Sequence, residues 1–173
     1  MSMSGVLESP EATRKFGAML ATALPDGTVV AMLGELGAGK TALVQGAAEG
    51  IGAVMRDGDD EDGALSPTFV LVREYDSNSG RRIVHVDAHR LTSGAELTDI
   101  GGDDFLGADN ISFVEWADRV ESALPRPYLA ISLSHHGETS RRMEIDGVGE
   151  RADALVDVAF KALVQAGCAV ERA

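Results

Sequence analysis

Gly34-Glu35-Leu36-Gly37-Ala38-Gly39-Lys40-Thr41 decides how this chain is read. The octet fits the phosphate-binding loop pattern G-x-x-x-x-G-K-[ST]. Its flanks fit as well: Thr28-Val29-Val30-Ala31-Met32-Leu33 is apolar and β-prone, and Ala42-Leu43-Val44-Gln45-Gly46-Ala47-Ala48 is helix-prone. A strand, a glycine loop and a helix N-terminus in that order aim backbone N–H groups, the positive end of a helix dipole and a lysine at one point. Glycines suit such a loop because side chains would block left-handed backbone angles and the close approach of oxygen. Only Lys15, Lys40 and Lys161 occur in the chain, and one of them stands where the pattern requires it. The glycines lack the G-x-G-x-x-G spacing of a dinucleotide fingerprint. Residues 34–42 are therefore expected to cradle the phosphates of a nucleotide.

Outward from the octet, bulk properties narrow the class. A chain of 173 residues, 45% hydrophobic and 25% charged, reads as one globular domain over residues 1–173. No apolar run approaches the ~20 residues that span a bilayer, and no basic-then-apolar leader opens the chain. The single Cys168 has no internal disulfide partner. The expected setting is the cytoplasm, away from membranes. Fifteen basic against 28 acidic residues give a net charge of −13. That charge disfavours direct grip on DNA or RNA, where phosphate neutralisation supplies most of the affinity. Any contact with RNA is expected to pass through a partner.

The pattern predicts an α/β fold with a mixed sheet. Ser9-Pro10-Glu11 opens a helix carrying Phe16, Met19, Leu20 and Ala23 on one face. The glycine-loop strand and a helix ending at Gly50 follow. Residues 55–64 read as an acidic exposed loop, without the oxygen spacing of a calcium loop. Val70–Tyr75 and Arg82–Asp87 form a hairpin about Asn78-Ser79-Gly80. Residues 93–106 read as an interrupted helix, 110–116 as a buried strand, and Tyr128–Leu133 and Arg142–Ile145 as two more strands. His135-His136 fall in the turn between those two. A last helix spans about 150–166.

Hydrolysis needs magnesium and a placed nucleophile besides the loop. Thr41 is the expected loop ligand of the ion. Asp87 ends an apolar strand, where it either reaches toward the ion or caps the strand. His85, Asp87 and His89 alternate and raise the thought of zinc, although three ligands so close on one strand make a poor tetrahedron. Glu115 and Trp116 end a strand that belongs beside the glycine loop, where ligands gather. On residue type alone Glu115 either orients water, completes the magnesium shell or is a surface acid. Ser66-Pro67-Thr68 is a strand-entry turn or a hydroxyl loop sensing the terminal phosphate.

From about residue 9 to 147 the chain resembles the TsaE (YjeE) family, bacterial P-loop ATPases of tRNA threonylcarbamoyladenosine biosynthesis. The resemblance rests on G-E-L-G-A-G-K-T (34–41), S-P-T-F (66–69), R-E-Y (73–75), H-V-D-A-H-R-L (85–91) and V-E-W-A-D-R-V (114–120) followed by L-P (124–125). It implies a P-loop NTPase-like mixed sheet flanked by helices. It also implies binding of ATP/ADP with Mg2+, slow turnover alone, and work with a TsaB–TsaD pair that carries out the transfer chemistry on tRNA. Carried over by position, Lys40 and Thr41 resemble the phosphate and magnesium residues, and Asp87 the aspartate of H-x-D-x-Y-R. Glu115 with Trp116 resembles the pair beside the nucleotide, Thr68 the mobile-loop hydroxyl, and Thr13 a first-helix threonine near the nucleotide. The resemblance makes Glu115 the favoured catalytic candidate and the third expected metal contact, with Thr41 and Asp87. His89 stands where the family pattern carries tyrosine, and the acidic stretch 55–64 is longer than usual.

Two rivals share the loop. A small-molecule kinase would add an acceptor-binding lid, and no lid-like insertion is evident, though Arg90 and Arg119 could serve it. A guanine-nucleotide switch finds D-x-x-G at 99–102 but no N-K-x-D segment to read guanine. A nucleotide-gated scaffold with incidental hydrolysis is a third reading.

Overall fold

The computed structural model describes residues 2–56, 64–65 and 71–172. The order begins β1 (Ser2–Leu7), α1 (Pro10–Ala23), β2 (Val29–Leu33), α2 (Lys40–Gly50), β3 (Ala53–Met55), β4 (Ala64–Leu65), β5 (Leu71–Ser77) and β6 (Arg82–Asp87). It continues with α3 (Gly94–Asp99), α4 (Gly102–Phe105), β7 (Ile111–Glu115) and 3₁₀ turns at Ala117–Arg119 and Glu121–Ala123. It ends with β8 (Tyr128–His135), β9 (Arg141–Val148), α5 (Asp153–Ala166) and β10 (Val170–Arg172).

One sheet runs β10-β1-β9-β8-β2-β7-β6-β5-β3, with β4 also paired to β5. Its centre is parallel: β2 lies between β8 and β7, and β7 pairs with β6. Antiparallel wings extend on both sides, through β9 and β1 at one edge and through β5 and β3 at the other. Central strands buried on both faces should be nearly continuous in apolar residues, and β2 (VVAML) is; β7 (ISFVE) is buried throughout, with Ser112 and Glu115 as its polar members. The two-residue period then sorts side chains by face. Val30 and Met32 join Phe113 and Ile131 beneath α1, α2 and α5, against Phe16, Leu20, Leu43, Val44 and Val156. Val29 and Ala31 join Val84, Val86 and Val114 on the opposite face, covered by Leu91, Leu97, Leu106 and Val120. The result is a helix–sheet–helix sandwich with a mixed sheet, as the sequence pattern predicts.

α1 begins where the capping signal places it: the Ser9 hydroxyl accepts from the Ala12 amide at 3.1 Å, and proline opens the first turn. α1 and α2 touch backbone to backbone. A Cβ at Gly46 would collide with the Arg14 carbonyl oxygen, so α2 carries a glycine where its own propensity would prefer alanine.

The structure corrects several boundaries. β1, β3 and β10 have no counterpart in the sequence reading. Residues 53–55 and 64–65 pair with β5, so the stretch read as loop 55–64 is bounded by strand at both ends, and 57–63 lie outside the described residues. The last helix starts at Asp153 rather than near 150. β7 stops at Glu115, and Trp116 turns into the left-handed region. His135 is the last residue of β8, paired with Arg141, because the β8–β9 ladder continues past Leu133. Its Nε2 lies 3.8 Å from the Glu35 carboxylate. The interruption in 93–106 falls between α3 and α4, where Gly101 is left-handed. No helix among the described residues is long and apolar enough to cross a membrane.

Candidate nucleotide site

The carboxyl ends of β2, β7 and β6 lie side by side. Glu115 is in register with Met32 on one side and with Asp87 on the other. The chain leaves β2 one residue after Met32 and enters the glycine loop. Strand pairing alone thus brings the loop, Glu115 and Asp87 to one edge, where open α/β sheets bind ligands. A cleft of about 310 Å³ opens there, lined by residues 36–42, Asp87, His89, Glu115 and Trp116.

The loop has the backbone its composition implies. Gly34, Gly37 and Gly39 hold φ of 135°, 78° and 104°. A Cβ on Gly34 would collide with the Leu133 carbonyl oxygen of β8, so this residue also lets the loop pass close over the sheet. Gly39 is the N-cap of α2 and supplies no side chain to the first turn. The amides of Lys40, Thr41 and Ala42 therefore begin a helix without a side-chain cap, and all three residues line the cleft. Uncapped amides with a helix dipole behind them suit phosphate oxygens.

Lys40 lies over this loop. Its Nζ donates to the carbonyls of Gly34 (2.5 Å) and Glu35 (2.9 Å) and sits 4.6 Å from the centre of the Trp116 ring. Burial lowers its pKa, against the pull of Glu115, Asp87, Asp118 and Glu35. Trp116 reaches Lys40 through a backbone angle bulky residues avoid (φ 58°), a strain of about 1–3 kcal/mol. Arg119 flanks the same ring at 5.4 Å.

Glu115 is the best-connected acid of the cleft. Thr41 Oγ1 donates to its Oε1 at 2.8 Å, and His85 Nε2 lies 2.7 Å from the same oxygen. Burial pushes its carboxyl up, but the bonds to His85 and Thr41 and the Lys40 charge outweigh that and hold it below the usual glutamate range. Glu115 is therefore ionised at neutral pH, and both neighbours donate to it. Asp87 is more open. Its Oδ1 accepts from the His89 amide (3.1 Å) and lies 3.2 Å from His89 Nδ1, an Asx-type turn closing the strand. Thr41 and Glu115 offer hard oxygen atoms from a helix start and a strand end, with Asp87 one strand away. That donor set fits magnesium better than zinc. His85 and His89 turn to different carboxylates, and no cluster of three or more His, Cys, Asp or Glu side chains that could hold a metal occurs among the described residues.

The cleft gathers Leu36, Gly37, Ala38, Gly39, Lys40, Thr41, Ala42, Asp87, Glu115 and Trp116 from the sequence reading. Gly34 and Glu35 stand behind it, holding Lys40 through their carbonyls. Thr13 does not line it: this buried threonine bonds back to the Ser9 carbonyl, with its methyl 3.7 Å from where a Cβ on Gly39 would stand. Thr68 falls outside the described residues. Two contributors were missed. The sequence pattern suggests His85 only as a zinc ligand, although its place two residues before Asp87 on a strand puts it on the same face. Arg141, on β9, donates to the Gly37 carbonyl at 3.1 Å. It lies 104 residues from its partner, and no local pattern signals it.

Comparison with known proteins bears on the family and the fold. The sequence model of the family described as threonylcarbamoyl adenosine biosynthesis protein TsaE matches residues 7–143. The chain is 32% identical over 150 residues to the Bacillus subtilis protein described as tRNA threonylcarbamoyladenosine biosynthesis protein TsaE, covering 86% of this chain and 88% of that one. Proteins of the same description are 37% identical over 144 residues in Streptomyces coelicolor (80% and 92% covered) and 40% over 127 in Synechocystis (69% and 73%). The crystal structure of YdiB from B. subtilis superposes with a TM-score of 0.67 at 24% identity, over 93% of this chain and 95% of that one, a likeness of fold. The chain belongs to the TsaE family.

Proposed function

We propose that this chain is a Mg2+-dependent ATPase of the cytoplasm that supports N6-threonylcarbamoyladenosine modification of tRNA by acting with a TsaB–TsaD pair. The observation that carries the reading is the 2.8 Å bond between Thr41 and Glu115. It joins the helix start after the glycine loop to the end of the neighbouring strand, beside the uncapped amides of α2. A phosphate chain on those amides would place its outer end between Lys40, Thr41 and Glu115. Magnesium held there by Thr41 and Glu115, with Asp87 near, would neutralise charge developing on the phosphate oxygens.

The side chains divide the remaining work. Lys40 exchanges two carbonyl partners for phosphate oxygens, which lets its charge find an opposite charge in a desolvated place. Trp116 walls the cleft beside Lys40. Glu115, held ionised below the usual range, is a weak base, so it suits orienting water and the metal shell better than strong proton abstraction. Arg141 holds the Gly37 carbonyl, fixing the tip of the loop. Thr68 is assigned to the terminal phosphate by family resemblance alone. The net charge of −13 favours contact with tRNA only through the TsaB–TsaD pair, and gives no support for binding DNA.

Paired variants test the reading. Lys40→Ala should lose ATP binding, whereas Glu115→Ala should keep the affinity measured in chelator within a few-fold and, with Mg2+, slow phosphate release by about 10²-fold. Wild-type turnover in Glu115→Ala would remove that residue from the mechanism.

A further inference from the structure

We propose that His85 is a positioning residue that fixes the Glu115 carboxylate for magnesium; this rests on the ATPase reading above. His85 and Glu115 sit on adjacent parallel strands, β6 and β7. In the register His85 lies opposite Phe113, so Glu115 is its diagonal neighbour on the same face, the one beneath α2. His85 is only 4% exposed and Glu115 5%. A polar pair so buried needs its hydrogen bond, since either group left alone would carry the full cost of desolvation.

The geometry specifies what the bond does. An ionised carboxylate only accepts, so Nε2 of His85 carries the proton, and Thr41 also donates. Both donors converge on Oε1, at 2.7 and 2.8 Å. Oε2 has no hydrogen bond among the described residues. Two donors on one oxygen fix the rotation of the carboxyl plane and leave the second oxygen as the free acceptor of a cleft-lining residue. The donors come from different layers: Thr41 from the start of α2, His85 from the sheet. Thr41 is itself a candidate magnesium ligand, so its bond to Glu115 must tolerate a change at the hydroxyl. Among the described residues the His85 ring bonds to Glu115 alone, and it holds the carboxylate through that change. Outer partners of metal-ligating groups commonly set metal affinity or activity by about 10–100-fold.

The test separates magnesium from nucleotide. Trp116 is the only tryptophan and lines the cleft, so its emission can follow ATP binding with Mg2+ and with chelator. In His85→Leu the affinity for ATP in chelator should stay within about twofold of wild type. The gain in affinity that Mg2+ gives should shrink about 10–100-fold. His85→Gln, whose amide reaches the place of Nε2, should restore most of the gain; His85→Asn, one methylene shorter, should not. If His85→Leu fails to fold, the Gln and Asn pair makes the same comparison. In the metal-free wild type, an imidazole N–H proton resonance protected from exchange should be present and should vanish in Glu115→Ala. An undiminished magnesium gain in both His85→Leu and His85→Asn would overturn the inference while leaving the ATPase reading intact. No magnesium gain in the wild type would overturn the ATPase reading, and this inference with it.

Discussion

Lys40 is a cation that the fold tolerates rather than uses. It has two carbonyls and an aromatic face, and burial still lowers its pKa against four nearby acids. The charged form is thus less favourable folded than unfolded. Stability contributed at this position rises as pH climbs through the folded pKa toward 10.5, the ordinary lysine value. At neutral pH, Lys40→Met should therefore melt about 1–4 °C higher than wild type by calorimetry while losing ATP binding, the signature of a residue kept for ligand rather than for fold. A lower melting temperature would show that the carbonyl bonds dominate. Glu115 runs the other way. Its folded pKa lies below 4.5, so its contribution is fully present above that pH and is lost as pH falls through the folded value. Melts from about pH 6 to 3 should fall more steeply for wild type than for Glu115→Gln. At this scale the octet 34–41 was legible because loop chemistry is local. The roles of His85 and Arg141 were not, because each depends on which strands pair.

The elements around the cleft are held by close approach as much as by apolar area. Gly46 lets α2 rest on the backbone of α1, which carries Thr13 under Gly39. Alanine is the better helix former by about 1 kcal/mol in isolation. In this setting Gly46→Ala should nevertheless destabilise, because overpacking costs about 1–3 kcal/mol and the clash is with backbone. The melting temperature should fall by about 2–8 °C and the affinity for ATP should weaken with it; an unchanged or raised melting temperature would contradict the helix–helix contact. Elements marked by a cap, a motif, an apolar run or a turn signal, α1, α2, β2, β7 and the β5–β6 hairpin, were readable in the sequence. β1 (SMSGVL) was not: it is serine-rich and broken by a glycine, and it becomes a strand by pairing with β9 on one side and β10 on the other. β3 and β10 are three residues each and exist only as partners of longer strands.

For the whole molecule, the sheet order explains why one short motif could forecast so much. Once β2 is central and parallel to β7, and β7 to β6, the acids that end those strands must meet the glycine loop. What the sequence did not show was the division of labour: Glu115 bonds Thr41 directly, and Asp87 stands one strand farther out. The measurement that tests the central claim most directly is steady-state phosphate release from ATP with Mg2+, with and without a TsaB–TsaD pair, using Lys40→Ala as the blank. The account predicts slow release that the pair changes and that vanishes in the variant. Release that is absent in the wild type, or that the pair leaves unaltered, would contradict it.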